Sequence, residues 1–235
     1  MKLIVGFLLY LIAFTSSYSY AASGKMQLDT IDIDLSDKAS LQRGAKIFMN
    51  YCLSCHSAAY MRYNRMGKDL GLSDAQVEES LMFASDKVGD TMTVAMRPKD
   101  AKKWFGVVPP DLSVISRARG TDWLYTYLRG YYLDTQKILG TNNVVFKDVG
   151  MPHVLWQEQG YVRKDSNNQL HALAGDETTV SEYNMMVRDL VNFLAYIGEP
   201  SKIQRLAIGK WVLLYLALFF FVAYPLKKAF WEDVH

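Results

Sequence analysis

The chain has 235 residues, half of them apolar, and a formal net charge of +2. This length is enough for one good hydrophobic core and supports one or at most two domains. Basic residues gather beside the two apolar ends and leave a slightly acidic middle, which argues against a nucleic-acid-binding protein.

The N-terminus has the features of an export signal. Lys2 is followed by an apolar run over residues 3–14, which is too short to span a bilayer, and then by small side chains at Ala21 and Ala22. This pattern predicts a cleaved signal peptide over residues 1–21, with a permanent N-terminal anchor as the alternative. With cleavage, the mature chain begins outside the cytoplasm.

An amphipathic helix is predicted next, over residues 36–51. Leu41, Ala45, Phe48 and Met49 recur there at helical spacing, so they form one apolar face. The helix leads directly to the first cysteine.

The chain has only two cysteines, both in the sequence Cys52-Leu53-Ser54-Cys55-His56. Two thiols at this spacing can bond the two vinyl groups of one porphyrin, and the histidine is then held under the iron. A disulfide or a thioredoxin-like pair needs no such histidine, and a zinc site needs a further ligand. The motif therefore predicts one covalent haem c, attached through Cys52 and Cys55, with His56 as the proximal iron ligand.

Two further helices are predicted before the middle of the chain. Ser73 and Gln76 have the spacing of a capping box, which opens a helix through Phe83. Asp122 is the predicted cap of a second helix, from residue 123 to residue 130.

The second half is predicted to hold a long irregular region and one more helix. Residues 131–176 are rich in Gly, Asn and Asp, which indicates loops with a short hairpin. Thr179 and Glu182 form a predicted capping box for a helix through Ile197, which Gly198 ends. The sequence thus predicts a mainly α domain with long loops, where a large apolar cofactor supplies the missing core.

A close crossing of the first and last of these helices is also favoured. Gly44 and Phe48 lie one turn apart on the first helix, and Phe193 and Tyr196 lie near the end of the last. A glycine permits helices to approach closely, and aromatic side chains fill the gap beside it. A cytochrome c core has this packing, although a core without haem could have it too.

The sixth iron ligand is predicted to be Met151. This residue stands between Gly150 and Pro152 in a predicted loop, where a thioether can approach an iron without a competing helical backbone. A His56/Met151 pair would fill both axial positions and prevent oxygen chemistry. The other candidates considered are Met49, too close to the attachment site, Met185 and Met186, on a packed helix, His235, beyond the membrane segment, and His153 and His171.

The C-terminal region is predicted to be a membrane anchor. Residues 206–226 are apolar, and a helix of about 20 residues crosses a hydrocarbon core of about 30 Å. Lys227 and Lys228 beside a short tail fit a cytoplasmic end. We therefore predict a periplasmic haem domain over residues 22–202, a transmembrane helix over 203–228 and a cytoplasmic tail over 229–235.

These motifs together resemble the cytochrome c1 family, the haem subunits of quinol:cytochrome c oxidoreductase (bc1) complexes. The resemblance covers essentially the whole chain. It rests on the haem motif followed by Met61-Arg62-Tyr63, on Val108-Pro109-Pro110-Asp111-Leu112-Ser113 with Arg117-Ala118-Arg119, on Gly150-Met151-Pro152, and on a final helix leading into one anchor. The Pro-Pro-Asp-Leu-Ser segment combined with the anchor is its most specific part.

The resemblance implies a cytochrome c-like haem domain whose iron is held by His56 and Met151. It implies that Arg119 pairs with a haem propionate, with Arg117 as the fallback, and that Pro110 and the proline before it wall the haem. The chain departs from the family pattern at Pro152-His153, where the family often has a proline pair, and it lacks any additional cysteine pair.

The function implied is electron transfer in a bacterial inner membrane. The chain would take one electron from the Rieske iron–sulfur protein, beside cytochrome b, and pass it through the haem to a cytochrome c. One alternative is a membrane-anchored cytochrome c that donates to a terminal oxidase, and another is a haem peroxidase or gas sensor with an open sixth position. Two acidic stretches, Asp29 to Asp37 and Glu78 to Asp90, could steer a basic partner.

Overall fold

The computed structural model describes residues 27–167, 169–173 and 177–232. The helices are α1 (Lys38–Ile47), α2 (Tyr63–Leu70), α3 (Asp74–Ser80), α4 (Pro98–Phe105), α5 (Ile115–Arg119), α6 (Thr121–Arg129), α7 (Trp156–Gln159), α8 (Glu177–Gly198) and α9 (Lys202–Phe230). The strands are β1 (Ala58–Arg62), β2 (Thr91–Met92), β3 (Tyr131–Leu133), β4 (Thr141–Asn143), β5 (Val162–Lys164) and β6 (Leu170–Ala172). The predicted signal peptide, residues 1–21, lies outside the described residues.

The fold is mainly α, as the sequence predicts. The strands form separate antiparallel pairs, β1 with β2, β3 with β4 and β5 with β6, so no larger sheet organises the described chain. The core lies between α1, α2, α6 and α8, and the predicted irregular region contains the last two strand pairs and α7.

Helix α1 carries the chain to the cysteine motif, as predicted. Asp37 caps it, since its carboxylate accepts a hydrogen bond from the Ser40 amide at 3.0 Å. After Ile47 the helix widens into a π-helical turn, Phe48–Cys52, which ends on the first cysteine. Widened turns of this kind often occur at functional sites.

Helices α1 and α8 cross closely at Gly44, as predicted. A Cβ atom at this position would overlap the Asp189 carbonyl oxygen and lie 2.7 Å from Phe193 Cβ. One turn further along α1, the ring of Phe48 packs on that of Phe193, with ring centroids 5.6 Å apart. The absence of a side chain at Gly44 therefore sets the separation of the two helices that frame the core.

A buried polar group fixes the register of the same crossing. The Asp189 carboxylate accepts from the Ser40 hydroxyl at 2.6 Å and from Arg43 Nε at 2.5 Å. The Asn192 amide donates to the Ser40 hydroxyl at 3.0 Å. Asp189 is only 7% exposed. Sliding α1 along α8 would therefore remove the hydrogen-bond partners of its carboxylate and leave that charge unpaired in the core.

The predicted helix caps are right at one site and wrong at two. The Ser73–Gln76 capping box is present, although α3 ends at Ser80 rather than at residue 83. Asp122 does not cap α6, because its carboxylate accepts from the distant Ile31 amide at 3.0 Å. Thr179 and Glu182 lie inside α8, which begins earlier, at Glu177.

Helix α9 contains the apolar segment predicted as the anchor. It holds an 18-residue window with a mean hydropathy of 2.2, none of which is buried against the rest of the chain. A core helix of a soluble protein would be covered, so this helix is long, apolar and exposed enough to span a membrane. Pro225 lies inside its last turns, which membrane helices tolerate.

Replacement of Gly44 by alanine should destabilise the protein. The added methyl group would press on the α8 backbone, and overpacking of this kind costs about 1–3 kcal/mol. Urea unfolding of the full chain in detergent, followed by circular dichroism, measures the free energy of unfolding. The control is Gly89→Ala, whose Cβ would meet nothing within 4 Å. Equal stability of the two variants would contradict the close crossing.

Candidate functional site

The site begins with the orientation of His56. Its Nδ1 lies 2.7 Å from the carbonyl oxygen of Pro110. A carbonyl oxygen only accepts hydrogen bonds, so Nδ1 carries the proton and Nε2 keeps its lone pair. Burial also lowers the pKa of His56, which keeps the ring neutral. A neutral imidazole held by its other nitrogen is the arrangement of a metal-binding histidine.

The Pro110 carbonyl reaches His56 because three hydrogen bonds join the segment after Pro110 to the segment after His56. The Asp111 carboxylate accepts from the Ala59 amide at 3.0 Å, and the Ser113 hydroxyl accepts from the Tyr60 amide at 3.1 Å. The Leu112 amide adds a bond to the Ser57 carbonyl oxygen at 2.7 Å. The Asp-Leu-Ser part of the motif thus holds the residues after His56.

An apolar cavity opens beside His56. Its larger part encloses about 330 Å³, and an adjoining part encloses about 80 Å³. Both parts are bordered by His56, Met151, Val107, Pro110 and Gly150. Cofactor sites are typically apolar cavities of about 300–1,000 Å³ with a few polar groups, and this cavity is of that kind.

The two cysteines open onto the two parts of this cavity. Cys52 borders the larger part and Cys55 the smaller, and both thiols are free rather than joined as a disulfide. Burial, with a smaller contribution from Cys55, raises the pKa of the Cys52 thiol to about 12. Cys52 therefore lacks the low pKa that marks a reactive redox thiol in thioredoxin-like sites.

Met151 borders the same cavity, and two tyrosines hold it. The Tyr127 hydroxyl donates to Met151 Sδ at 3.4 Å, and the Tyr131 hydroxyl lies 2.7 Å from that of Tyr127. Burial raises the pKa of Tyr127, so this donor keeps its proton. Tyr127 was not among the site residues predicted from the sequence, although Trp123 and Tyr127 are spaced to share one face of a helix.

Two buried asparagines organise the loop that carries Met151, and they were also missed. Asn143 Oδ1 accepts from the Val145 and Phe146 amides at 2.9 and 3.2 Å, and its amide donates to the Tyr127 carbonyl oxygen at 2.7 Å. Asn142 Oδ1 accepts from the Asp148 amide at 2.8 Å. These bonds tie the loop to α6, which neither composition nor spacing reveals.

Of the two arginines considered, Arg119 is the one at the cavity. It borders the larger part, and its guanidinium lies 5.1 Å from the centre of the Trp123 ring. Arg117 is instead close to Gly198, at the end of α8, and does not line either part. Arg119 is therefore the cation available to a carboxylate inside the cavity.

His153 lies next to the cavity but does not border it. Its ring stacks on Tyr131 with centroids 4.6 Å apart, and burial lowers its pKa to about 4. Met151 and Pro152 border the cavity, while this side chain packs behind them. His153, which stands where the family often has a second proline, thus provides a stacking partner for Tyr131.

The residues at this site fit a haem group. Two free thiols, a histidine with an available Nε2 and a thioether border one apolar cavity, and Arg119 is its charged lining residue. Within the described residues, no group of three or more His, Cys, Asp or Glu side chains could hold a metal ion without a cofactor. A zinc site needs three or four such ligands, so that part of the chain does not form one.

With helix α9, the site has the features of a membrane-anchored c-type cytochrome, and comparison with known proteins agrees. A sequence model of the Cytochrome C1 family matches residues 32–234. Cytochrome c1 of Allochromatium vinosum is 49% identical over 228 residues, covering 92% of this chain and 93% of that protein. Cytochrome c1 of Rhodospirillum rubrum is 27% identical over 238 residues, covering 84% and 83%. The chain therefore belongs to the Cytochrome C1 family.

A further relative has a different name. A Nitrosomonas europaea protein named ammonia monooxygenase gamma subunit is 46% identical over 232 residues, covering 98% of this chain and 99% of that protein.

Family membership gives the chain a haem cofactor and the electron-transfer role of a cytochrome c1 in a bc1 complex, which is a respiratory assembly. Helix α9 is the one candidate membrane span among the described residues, and with the family it makes the chain a membrane protein.

Replacement of Asn143 by alanine should loosen the Met151 loop. The change removes three hydrogen bonds, including those to the Val145 and Phe146 amides, and such bonds contribute about 0.5–1.5 kcal/mol each. Amide hydrogen exchange of residues 144–151 should accelerate, while exchange in α1 stays slow. Asn64→Ala, at an exposed position on α2, is the control. Unchanged exchange in the Asn143 variant would contradict the role given to this side chain.

Proposed function

We propose that this chain carries one covalent haem c and passes single electrons from the Rieske iron–sulfur protein to a cytochrome c. Cys52 and Cys55 form the thioether links, His56 and Met151 provide the axial ligands, and Arg119 pairs with a propionate. The observation that carries the proposal is the His56–Pro110 bond, which leaves Nε2 free in the cavity that Met151 also borders.

The site favours electron transfer over oxygen chemistry. Haem supplies a one-electron redox couple, and the protein controls its ligands and its exposure to water. If Met151 and His56 both bind the iron, they would leave no position open to a peroxide or a gas. The apolar lining, with Pro110 beside the histidine, would limit the access of water to a bound haem.

We further propose that the haem domain lies in the periplasm of a bacterium. The predicted signal peptide over residues 1–21 would export residues 22–202, and Lys227 and Lys228 after the anchor would stay on the cytoplasmic side. Within the membrane, α9 would contact cytochrome b. The single anchor would then hold the haem domain close to the iron–sulfur protein.

Two other assignments share the haem site but differ in their partners. One is an anchored cytochrome c that donates to a terminal oxidase. The other follows the name of the Nitrosomonas relative, which belongs to an ammonia monooxygenase. Because the site is the same in each case, only the associated proteins separate them.

Gentle solubilisation and affinity purification of this chain test the assembly. We expect b-type haem, an iron–sulfur protein and quinol-dependent reduction of cytochrome c to accompany it. Recovery with a terminal oxidase, or with ammonia-dependent oxygen consumption, would assign it to one of the other assemblies. A haem stain on a denaturing gel tests the covalent link in the same sample, and loss of the stain in Cys52→Ser combined with Cys55→Ser, but not in Ser54→Ala, is expected.

Replacement of Met151 by leucine tests the second axial ligand. The oxidised protein should lose its methionine-to-iron charge-transfer band, and its reduction potential should fall, because the thioether no longer favours the ferrous state. Met185→Leu is the matched control, since this methionine is 55% exposed on α8 and does not border the cavity. An unchanged spectrum in the Met151 variant would remove Met151 from the site.

A further inference from the structure

Helix α4 leads to the mouth of the haem cavity and has little contact with the core. Ala101 is its buried residue, whereas Trp104 is 63% exposed. The helix ends at Phe105, and Phe105 and Val107 border the smaller part of the cavity, while Val108 borders the larger part. The surface formed by Lys99, Lys102, Lys103, Trp104, Val107 and Val108 is called the basic rim here.

The charge of this region is strongly one-sided. Residues 97–119 contain six basic and two acidic side chains, a net charge of +4 in a chain whose total is +2. Both carboxylates have partners within the fold, since Asp100 pairs with Arg97 at 2.7 Å and Asp111 accepts from the Ala59 amide. Because Arg119 would pair with a haem propionate, the lysines of α4 carry the positive charge of the basic rim.

These lysines are free to meet a partner. Lys99, Lys102 and Lys103 are exposed, and they form no ion pair with any residue that the structure describes. Close to them in the chain, Trp104, Val107 and Val108 are each about half exposed or more. An exposed aromatic anchor and apolar contacts beside a ring of charges match the composition of protein–protein interfaces.

The acidic stretches noted in the sequence lie elsewhere. Asp29 pairs with Arg129 at 2.7 Å, Asp37 caps α1, and Glu78 and Glu79 lie on α3. Neither these residues nor the lysines of α4 border the cavity, but α4 continues directly into Phe105, Val107 and Val108, which do. The charged side chains that the chain brings nearest to this part of the cavity lining are therefore basic, and a basic partner would be repelled there.

We propose that the basic rim docks an acidic electron-accepting protein, with Trp104 and Val107 at the centre of the contact. This inference rests on the proposed function and defines the chemistry of its acceptor. Steering between opposite charges raises association rates by roughly 10- to 1,000-fold at low ionic strength. The rim would thus bring an acidic redox protein to the haem edge and discriminate against basic ones.

The test uses the purified complex with two soluble probes, a small acidic c-type cytochrome and a small basic one. Stopped-flow absorbance follows both the quinol-driven reduction of the haem in this chain and its oxidation by each probe. We expect the acidic probe to react faster, with a rate that falls as salt is added. Lys102→Glu combined with Lys103→Glu should slow that reaction roughly tenfold or more at low salt and accelerate the basic probe.

The matched control reverses two lysines away from the cavity, Lys68→Glu with Lys87→Glu, and should leave both reactions within about twofold of the original. Equal effects of the two double variants, or a faster reaction of the original complex with the basic probe, would overturn the proposal. Failure of quinol to reduce the haem in the unaltered complex would count against the proposed function instead.

A second arm separates a protein partner from a lipid surface. Lysines beside a tryptophan also suit the interface of an anionic bilayer. Binding of the detergent-solubilised complex to vesicles of phosphatidylglycerol is measured for the original and for the Lys102/Lys103 variant. Loss of vesicle binding in that variant, with an unchanged reaction towards the acidic cytochrome, would assign the rim to the membrane and overturn the proposal.

Discussion

The hydrogen bond from His56 Nδ1 to the Pro110 carbonyl oxygen is the constraint on which the site depends. It links residues far apart in the chain and determines which ring nitrogen is available to a metal. Proline suits the acceptor position, because it brings a carbonyl oxygen without an N–H group that would need a partner of its own. The Asp111 and Ser113 side chains then keep the two segments in register.

The helices supply the frame that this bond requires. Gly44 lets α1 approach α8 until Phe48 and Phe193 are in contact, and the widened turn at the end of α1 places Cys52 at the cavity. The Asp189 group prevents the two helices from sliding. One side of the cavity is thus built on regular structure, where positions are well determined.

The opposite side is built on a loop and is held by hydrogen bonds rather than by packing. Asn143 ties the Met151 loop to α6, and Tyr127 donates to the sulfur itself. In a separate segment between α4 and α5, Val107 and Val108 border the cavity and are about half exposed. A firm side that orients the histidine and an open side that faces partners would suit a protein that exchanges electrons without binding a substrate.

The sequence by itself determined the local features: the mainly α content, the Ser73 cap, the close approach at Gly44 and the membrane helix, because each depends on neighbouring residues or on one side chain. It failed where distant residues competed, as when Ile31 took the Asp122 carboxylate from its expected cap. Only the tertiary structure decided that Arg119 rather than Arg117 borders the cavity, that Tyr127 reaches Met151 and that Val107 and Val108 border the same cavity. These features follow from how separate segments meet, since hydrogen-bond partners a hundred residues apart leave no periodic trace in the sequence.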